Sequence, residues 1–531
     1  MTAWPLQLTG TRVLAGFVLR RERVRVAVWT TAVPLLVLLT AASVKGLYPT
    51  QHDLDVAARA SEDNAASIAF NGPPLALDTL GGEVAFQTGS LGLVLVALMT
   101  LFTVGRQTRG EEEAGRAELV RSMAVGRHAN AAAALIVAVA MNVVVGVLLT
   151  AGLIAMDLPV SGSAVFGASF CALGLVFAGA TTVLAQISEN TRVVHGGAGA
   201  LLGLAFLLRA VGDIGDGTVS WLSPLGWVQK ARPYAGERWW PLLIAAGCAV
   251  ATVVVAAVLA GRRDLGAGLV APRPGPERAA PALGRPLGLA RRLQRGALLG
   301  WSCAVFLAGA AYGWVADDVE DFVSDNDTMR DIITGYGGAD LTDAYLSRSL
   351  LTVALLGAGF AVQSALLPRG EETALRAEPV LATPVSRRRW VGSHLMVAMG
   401  GSVVVLVSAG LGTGVTYAAV SRDAGQIPRL LGAALAYAPA LWVLAGLATA
   451  LYGLLPRAVV GAWALFALCL LAGLLGEVLG LPERVTGLSP FEHVPHLPAE
   501  EFTVVPLLVL TLLAAGLTAV GQAGFRGRDV G

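Results

Sequence analysis

The residues best suited to chemistry in this chain form one charged phrase, written twice. Residues 109–127 read RGEEEAGRAELVRSMAVGR, and residues 369–387, 260 positions later, read RGEETALRAEPVLATPVSR; eleven of the nineteen positions are identical. The shared charges are Arg109/Arg369, Glu111/Glu371, Glu112/Glu372, Arg116/Arg376, Glu118/Glu378 and Arg127/Arg387. Acids and bases at helical spacing can pair with one another. Glu112 with Arg116 and Arg109 with Glu113 stand at i,i+4 and Glu118 with Arg121 at i,i+3, and each such pair stabilises a solvated helix by about 0.2–0.5 kcal/mol. They can also give a soluble partner a charged handle. Pairing accounts for the presence of charges but not for their recurrence while the apolar sequence around them has drifted, so the repeat predicts that both copies do one job. Pro379 and Pro384 replace Leu119 and Ala124. Proline interrupts a helix interior, so the second copy is expected to be shorter or kinked.

The other reactive side chains do not assemble into a site. A phosphate-binding loop needs a lysine in G-x-x-x-x-G-K-[ST]; the chain has two lysines, Lys45 in SVKGL and Lys230 in VQKAR, and neither fits. The six histidines, His52, His128, His195, His394, His493 and His496, make no HExxH. His128 and His394 end the two charged segments and are expected at the membrane interface, and EHVPHLP around His493 and His496 reads as a polar loop. Asp325 and Asp327 in DDVEDFVSDNDTMRD lack the glycine and closing glutamate of a calcium loop. Cys171, Cys248, Cys303 and Cys469 lie in apolar runs without ligand spacing and read as small buried residues rather than disulfides. No nucleic-acid module is visible. No catalytic residue, metal or cofactor is assigned to the chain.

The elements that must carry the charged segments are apolar. Hydrophobic residues make up 55% of the 531 and charged residues 14%, against about 25% charged in a soluble domain. Runs of about 20 apolar residues span a bilayer core of roughly 30 Å as α-helices, and the ten-residue alternation of a β-barrel is absent. The fold class is therefore all-α and polytopic, with twelve spans at about 26–44, 88–105, 129–155, 163–186, 197–212, 240–260, 296–315, 347–367, 394–419, 431–454, 457–478 and 503–524. The short fifth span contains Arg209, near enough to its end to snorkel to the interface. The N-terminus shows no cleavable signal pattern, and the first apolar run is long enough to stay in the membrane.

With the N-terminus inside, 27 Lys and Arg residues fall on the inner side against 11 outside. The positive-inside rule then places both termini and both charged segments in the cytoplasm of a multi-pass plasma-membrane protein. Each half opens with a basic run (RRER at 20–23, RRLQR at 291–295), carries LSP in its last outer loop (222–224 and 488–490) and closes on RD.G (263–266 and 528–531). These marks predict two parallel six-helix repeats related by an axis along the membrane normal: 1–260, a cytoplasmic Pro/Arg-rich linker with the second leading helix at 261–295, and 296–531. The Arg run ending the linker would sit beside anionic lipid headgroups. Trp221, Trp227, Trp239, Trp240 and Tyr234 in 214–240 predict an interfacial or re-entrant piece. The few polar residues in the spans, Asn142, Thr181, Thr182, Gln186 and Gln363, are expected to hydrogen-bond between helices.

A six-span unit with a basic leading helix, a charged loop between its second and third spans and a long last outer loop resembles an ABC-2-type exporter permease. The fused form with RGEE…RAE in both loops is similar to actinobacterial tetronasin-type (polyether antibiotic, multidrug) efflux permeases, and 36 Arg against 2 Lys fits a high-GC genome. The resemblance spans essentially the whole chain and is sharpest in the two loops. It implies that Arg109, Glu111, Glu112, Arg116 and Glu118, with Arg369, Glu371, Glu372, Arg376 and Glu378, couple the chain to two copies of a cytoplasmic ABC ATPase. That ATPase would bind the ATP and Mg. The chain itself would be no enzyme and would move amphipathic compounds such as antibiotics out of the inner leaflet or cytosol. An ion-coupled secondary transporter is the alternative, and an integral membrane enzyme a further one. Proton coupling commonly uses an acid within the membrane, and Asp213 and Glu477 lie at span ends.

Overall fold

The computed structural model describes residues 7–62, 65–264, 266–271, 275–316, 341–475 and 482–529. The acidic outer segment with Asp325 and Asp327, and Glu477, lie outside the described residues. Among the described residues there is helix and no strand. Eleven helices of the described residues are long and apolar enough to cross a membrane, and a shorter apolar helix, Val460–Leu475, occupies the place of the remaining expected span. The chain forms two compact units, Met1–Gly275 and Pro276–Gly531.

The first unit contains α1 (Thr11–Leu47), α2 (Leu80–Gly105), α3 (Ala129–Ala155), α4 (Val160–Ile187), α5 (Thr191–Ile214) and α6 (Trp240–Ala260). α1 begins fifteen residues before the expected span, so the basic leading helix that carries RRER runs unbroken into it. Where lipid surrounds the protein, helices associate through close packing of small residues and a few hydrogen bonds rather than through burial of oil. α3 and α4 cross on Gly146 and Gly167, each backed by the other's carbonyl. Asn142 of α3 donates to Thr100 of α2 at 3.0 Å, and Gly174 of α4 leaves room for it. Arg209 does not snorkel. It is wholly buried in α5, donates to the carbonyls of Ala69 (2.7 Å) and Phe70 (3.3 Å), stacks on Phe206 and lies 3.5 Å from Asp213. The tryptophan-rich segment folds as two short pieces, Val219–Leu222 and Pro224–Gln229. They turn back onto the unit, with Leu225 and Val228 buried and Trp221 stacked on Trp240.

The second unit contains α7 (Pro286–Val315), α8 (Leu341–Ala365), α9 (Arg387–Ser421), α10 (Gln426–Leu454, loosened at Ala436 and Tyr437), α11 (Val460–Leu475) and α12 (Val504–Gly527). α7 lies against α9 through Gly309, where a Cβ would stand 2.6 Å from the Ala409 carbonyl, and through Gly313 and Gly412. α10 meets α12 through Gly453 and Gly521. Large side chains such as Leu243, Leu299, Val505 and Leu512 are more than 60% exposed; helices that are oily outside as well as inside belong in lipid. Cys303 is likewise exposed, unlike the buried position expected for it.

Candidate functional site

The charged segment of the first unit is not one helix. After Gly105, α2 widens into a π turn over Arg106–Gly110, makes one more α turn over Glu111–Glu113, reverses at Gly115 in the left-handed region (φ 70°) and resumes as Arg116–Arg121. A π turn shifts the phase of the side chains, and a left-handed residue, cheapest as glycine, breaks the direction. The i,i+4 pairs expected from the sequence are consequently not made. Arg109 pairs with Glu112 at 2.5 Å, and Arg116 reaches back five residues to Glu111 through bonds of 2.8 and 2.9 Å. Glu113 accepts from the Thr191 backbone at 2.8 Å, and Arg121 donates to the Arg127 carbonyl at 2.8 Å.

Most of these charges hold the loop to its own unit. Arg21 of α1 donates to both oxygens of Glu111, at 3.0 and 2.8 Å, and to Gln107 at 2.7 Å. Arg109, wholly buried, donates to the carbonyls of Ser188 (2.6 Å), Gly266 (3.2 Å) and Ala267 (2.8 Å). Arg263 forks onto Glu112 at 2.8 and 2.7 Å and donates to Gln186 at 2.7 Å. Leu269 and Val270 then bond the carbonyls of Gln186 and Ile187. The start of the linker is thus a strap that ties the loop to the end of α4.

The second unit repeats the fastening. Its loop is Leu367–Thr373, a left-handed Leu375 (φ 55°) and Ala377–Leu381. Arg376 grips Glu371 at 3.0 and 2.8 Å, and Arg528 donates to both oxygens of Glu372 at 2.7 and 2.6 Å. Arg369 stands 3.7 Å from Glu372. Arg127 bonds the carbonyls of Ala260 and Arg263, and its counterpart Arg387 those of Arg526 and Arg528. The second loop's last helix is shorter, five residues against six. The prolines are not the source of the break, because both copies reverse at the same place, Gly115 and Leu375. Pro379 sits in a first turn, where its missing N–H is not needed.

Three residues of this site, Arg21, Arg263 and Arg528, were not singled out from the sequence as site residues. The repeated RD.G closings were the signal available for two of them; their partners, 151 and 156 residues away, were not legible. His394 is buried in α9, 3.4 Å from Gln294 and edge-on to Trp390, rather than facing outward. His128 is partly covered, and burial with Arg127 and Arg121 nearby lowers its pKa, leaving it neutral at pH 7.

Of the ten residues expected to couple, Arg109, Glu111 and Glu371 are buried, Glu112, Glu372 and Arg369 are partly covered, and Arg116, Glu118, Arg376 and Glu378 are exposed. The hydrogen bonds from Arg116 to Glu111 hold the guanidinium's pKa above its usual value. Beside the exposed charges lie Leu119 and Met123, each 72% exposed, and Leu375, 63% exposed. What each loop shows is therefore a small mixed face of arginine, glutamate and bare apolar side chains on a rigidly fastened base. Among the described residues no group of His, Cys, Asp and Glu could hold a metal ion.

Two comparisons place this architecture. The family described as "Multidrug efflux system permease Rv1217c, C-terminal domain" matches residues 13–261 and 283–526. The multidrug efflux system permease protein Rv1217c of Mycobacterium tuberculosis is 41% identical over 526 residues, covering 98% of this chain and 95% of that protein.

Proposed function

The chain belongs to the multidrug efflux permease family of Rv1217c, and from that premise we propose that it is the membrane subunit of an ATP-driven ABC exporter of the ABC-2, tetronasin-like kind. Two copies of a separate cytoplasmic ATPase would bind ATP and Mg and seat on the loops at 109–121 and 367–381. The cargo would be amphipathic drugs or antibiotics, and both termini would face the cytoplasm of the cell that exports them.

The observation that carries the reading is the repeated fastening. In each unit an arginine from the end of that unit (Arg263, Arg528) clamps the second glutamate of the loop, and a second arginine (Arg116, Arg376) clamps the first. A loop built to pass force to its helices needs a stiff base. A loop that only solvates a helix end does not need buried ion pairs, whose desolvation is costly. The roles of the ten residues then divide. Arg109, Glu111, Glu112, Arg369, Glu371 and Glu372 stiffen, Glu118 and Glu378, with Leu119, Met123 and Leu375, meet the ATPase, and the half-exposed Arg116 and Arg376 do both.

The test is co-purification of the full chain with the ATPase encoded beside it, and drug-stimulated ATP hydrolysis by the complex in nanodiscs. The exposed double variant E118R/E378R is expected to lose the ATPase while the permease keeps its elution profile and melting temperature. An unchanged complex and unchanged hydrolysis would overturn the proposal, as would drug extrusion that runs on a pH gradient without ATP. Secondary transport finds little support in the buried pair Arg209–Asp213, which is fastened by Ala69, Phe70 and Ser220.

A further inference from the structure

The two units differ where α1 meets α3 and α7 meets α9. Trp29 and Trp301 align the first pair of helices, and the buried positions Val18, Glu22, Val33 and Val37 fall on Ala290, Gln294, Val305 and Gly309, all buried. The 260 offset carries through the second pair: Ala133, Ala134, Val137, Ala138, Met141 and Asn142 are buried, and so are Ser393, His394, Val397, Ala398, Gly401 and Ser402. In the first unit this junction is closed. Met141 fills it, Glu22 pairs with Arg106 at 2.6 Å and with Arg25 at 3.0 Å, and the remaining space is about 40 Å³. In the second unit Met141 becomes Gly401, Glu22 becomes the neutral Gln294, and Arg106 becomes Leu366. Gln294 turns inward to Ser364 and His394, and a groove of about 550 Å³ is left, within the size range of small-molecule sites, about 300–1,000 Å³.

The groove has two chemistries. Its wall is Leu298, Met396, Val397 and Val404 over a floor of Gly400 and Gly401, and its mouth carries Arg291, Arg292 and Arg295. These three guanidiniums are exposed, and among the described residues none has an ion-pair or hydrogen-bond partner. The matching stretch of α1 shares part of this pattern, since Arg292 and Arg295 fall on Arg20 and Arg23, which are exposed and likewise without a partner among the described residues; but Arg291 falls on Leu19, the neighbouring Arg21 and Arg25 are held by Glu111 and Glu22, and no comparable groove lies beside them. From Met396 to Val404 is eight residues of helix, about 12 Å, close to the roughly 15 Å hydrocarbon depth of one leaflet. α7 and α9 touch backbone to backbone at Gly309 and Gly412, while a Cβ at Gly400 would meet nothing within 4 Å. The wedge is therefore open at the end of the helices where the arginines stand.

We infer that this groove is a binding site for one anionic glycerophospholipid, its phosphate held by Arg291, Arg292 and Arg295 and one acyl chain lying over Gly400 and Gly401. Charge selects the occupant. Three unpaired cations at headgroup level favour an anionic lipid over a zwitterionic one, and the apolar wall gives the chain a seat that a free phosphate would not use. The inference concerns the second unit alone and does not depend on the energy source proposed above.

The test uses the full chain in detergent, native mass spectrometry, and phosphatidylglycerol against phosphatidylcholine as probes, with glycerol phosphate as the headgroup-only control. One tightly held phosphatidylglycerol is expected per chain, with glycerol phosphate failing to displace it. R291Q/R292Q/R295Q should cut the preference for phosphatidylglycerol by roughly 10- to 100-fold. G400L, whose Cβ meets nothing within 4 Å and whose side chain enters the groove while leaving the arginines in place, should abolish the one-to-one adduct. Both variants change exposed positions, and their elution profiles and melting curves report on folding. An unchanged preference in the triple variant would overturn the inference. So would an unchanged adduct in G400L, which would reduce the arginines to general surface attraction, or displacement by glycerol phosphate, which would leave the apolar wall without a role.

Discussion

Removing Arg528 tests whether the loops are fastened as described. Glu372 is about nine-tenths buried, with Arg528 at 2.6 Å and Arg369 only at 3.7 Å. R528A therefore leaves a buried carboxylate stripped of both hydrogen bonds, with Arg369 at 3.7 Å as its remaining cation, a loss worth about 3–5 kcal/mol in comparable buried pairs. Glu112 in the first unit keeps Arg109 at 2.5 Å when Arg263 is removed, so R263A loses charge-assisted hydrogen bonds worth about 2 kcal/mol. The readout is hydrogen–deuterium exchange of peptides covering 369–381 and 109–121, because local opening reports the loop's own stability. At about 1.4 kcal/mol per decade, R528A should speed exchange of 369–381 by a factor of roughly a hundred to several thousand. R263A should speed exchange of 109–121 by about thirtyfold, and each loop should ignore the other's variant. E372Q/R528M, which removes both charges, should recover much of the protection. Equal effects in the two loops, less than threefold acceleration by R528A, or no recovery in the double variant would refute the fastening argument.

Leu375 occupies a left-handed conformation that costs a non-glycine residue roughly 1–2 kcal/mol and that its counterpart Gly115 adopts freely; L375G should therefore slow local exchange of the second loop, and G115A should hasten it in the first. R209A strands Asp213 and two carbonyls inside the first unit and should lower the melting temperature, with R209M/D213L destabilised less than R209A alone. Q294E places a carboxylate in the buried site where the first unit has Glu22 with Arg106; alone it should destabilise the second unit, and adding L366R should restore part of the loss, read by thermal melting of the purified chain.

Much of the fold was legible because bilayer solvent imposes a simple rule: backbone groups must be satisfied within the segment, so twenty apolar residues mean a helix. The helices stand at the expected places, although α1 and α7 begin ten or more residues earlier than their apolar stretches. Basic residues are good helix formers, and hydropathy alone does not register them. The loops were legible as a place and not as a geometry. Gly115 was visible as a glycine, but nothing local showed that the π turn before it would turn Arg109 inward, or that Leu375 would adopt the same reversal. The burial of His394 and Arg209 was not legible for a related reason, since burial of a polar side chain depends on partners such as Gln294 or the Ala69 carbonyl that come from distant parts of the chain.

By itself the amino-acid order determined that the protein is helical and membrane-bound, and that one charged phrase serves each half. These follow from period, length and repetition, which are properties of consecutive residues. The tertiary structure alone decided which charges are base and which are face, because Arg263 and Arg528 reach their glutamates only after the helices between have packed. It alone decided, too, that one junction closes on Met141 while the other opens over Gly401, since a cavity is what remains between helices once their side chains have been placed.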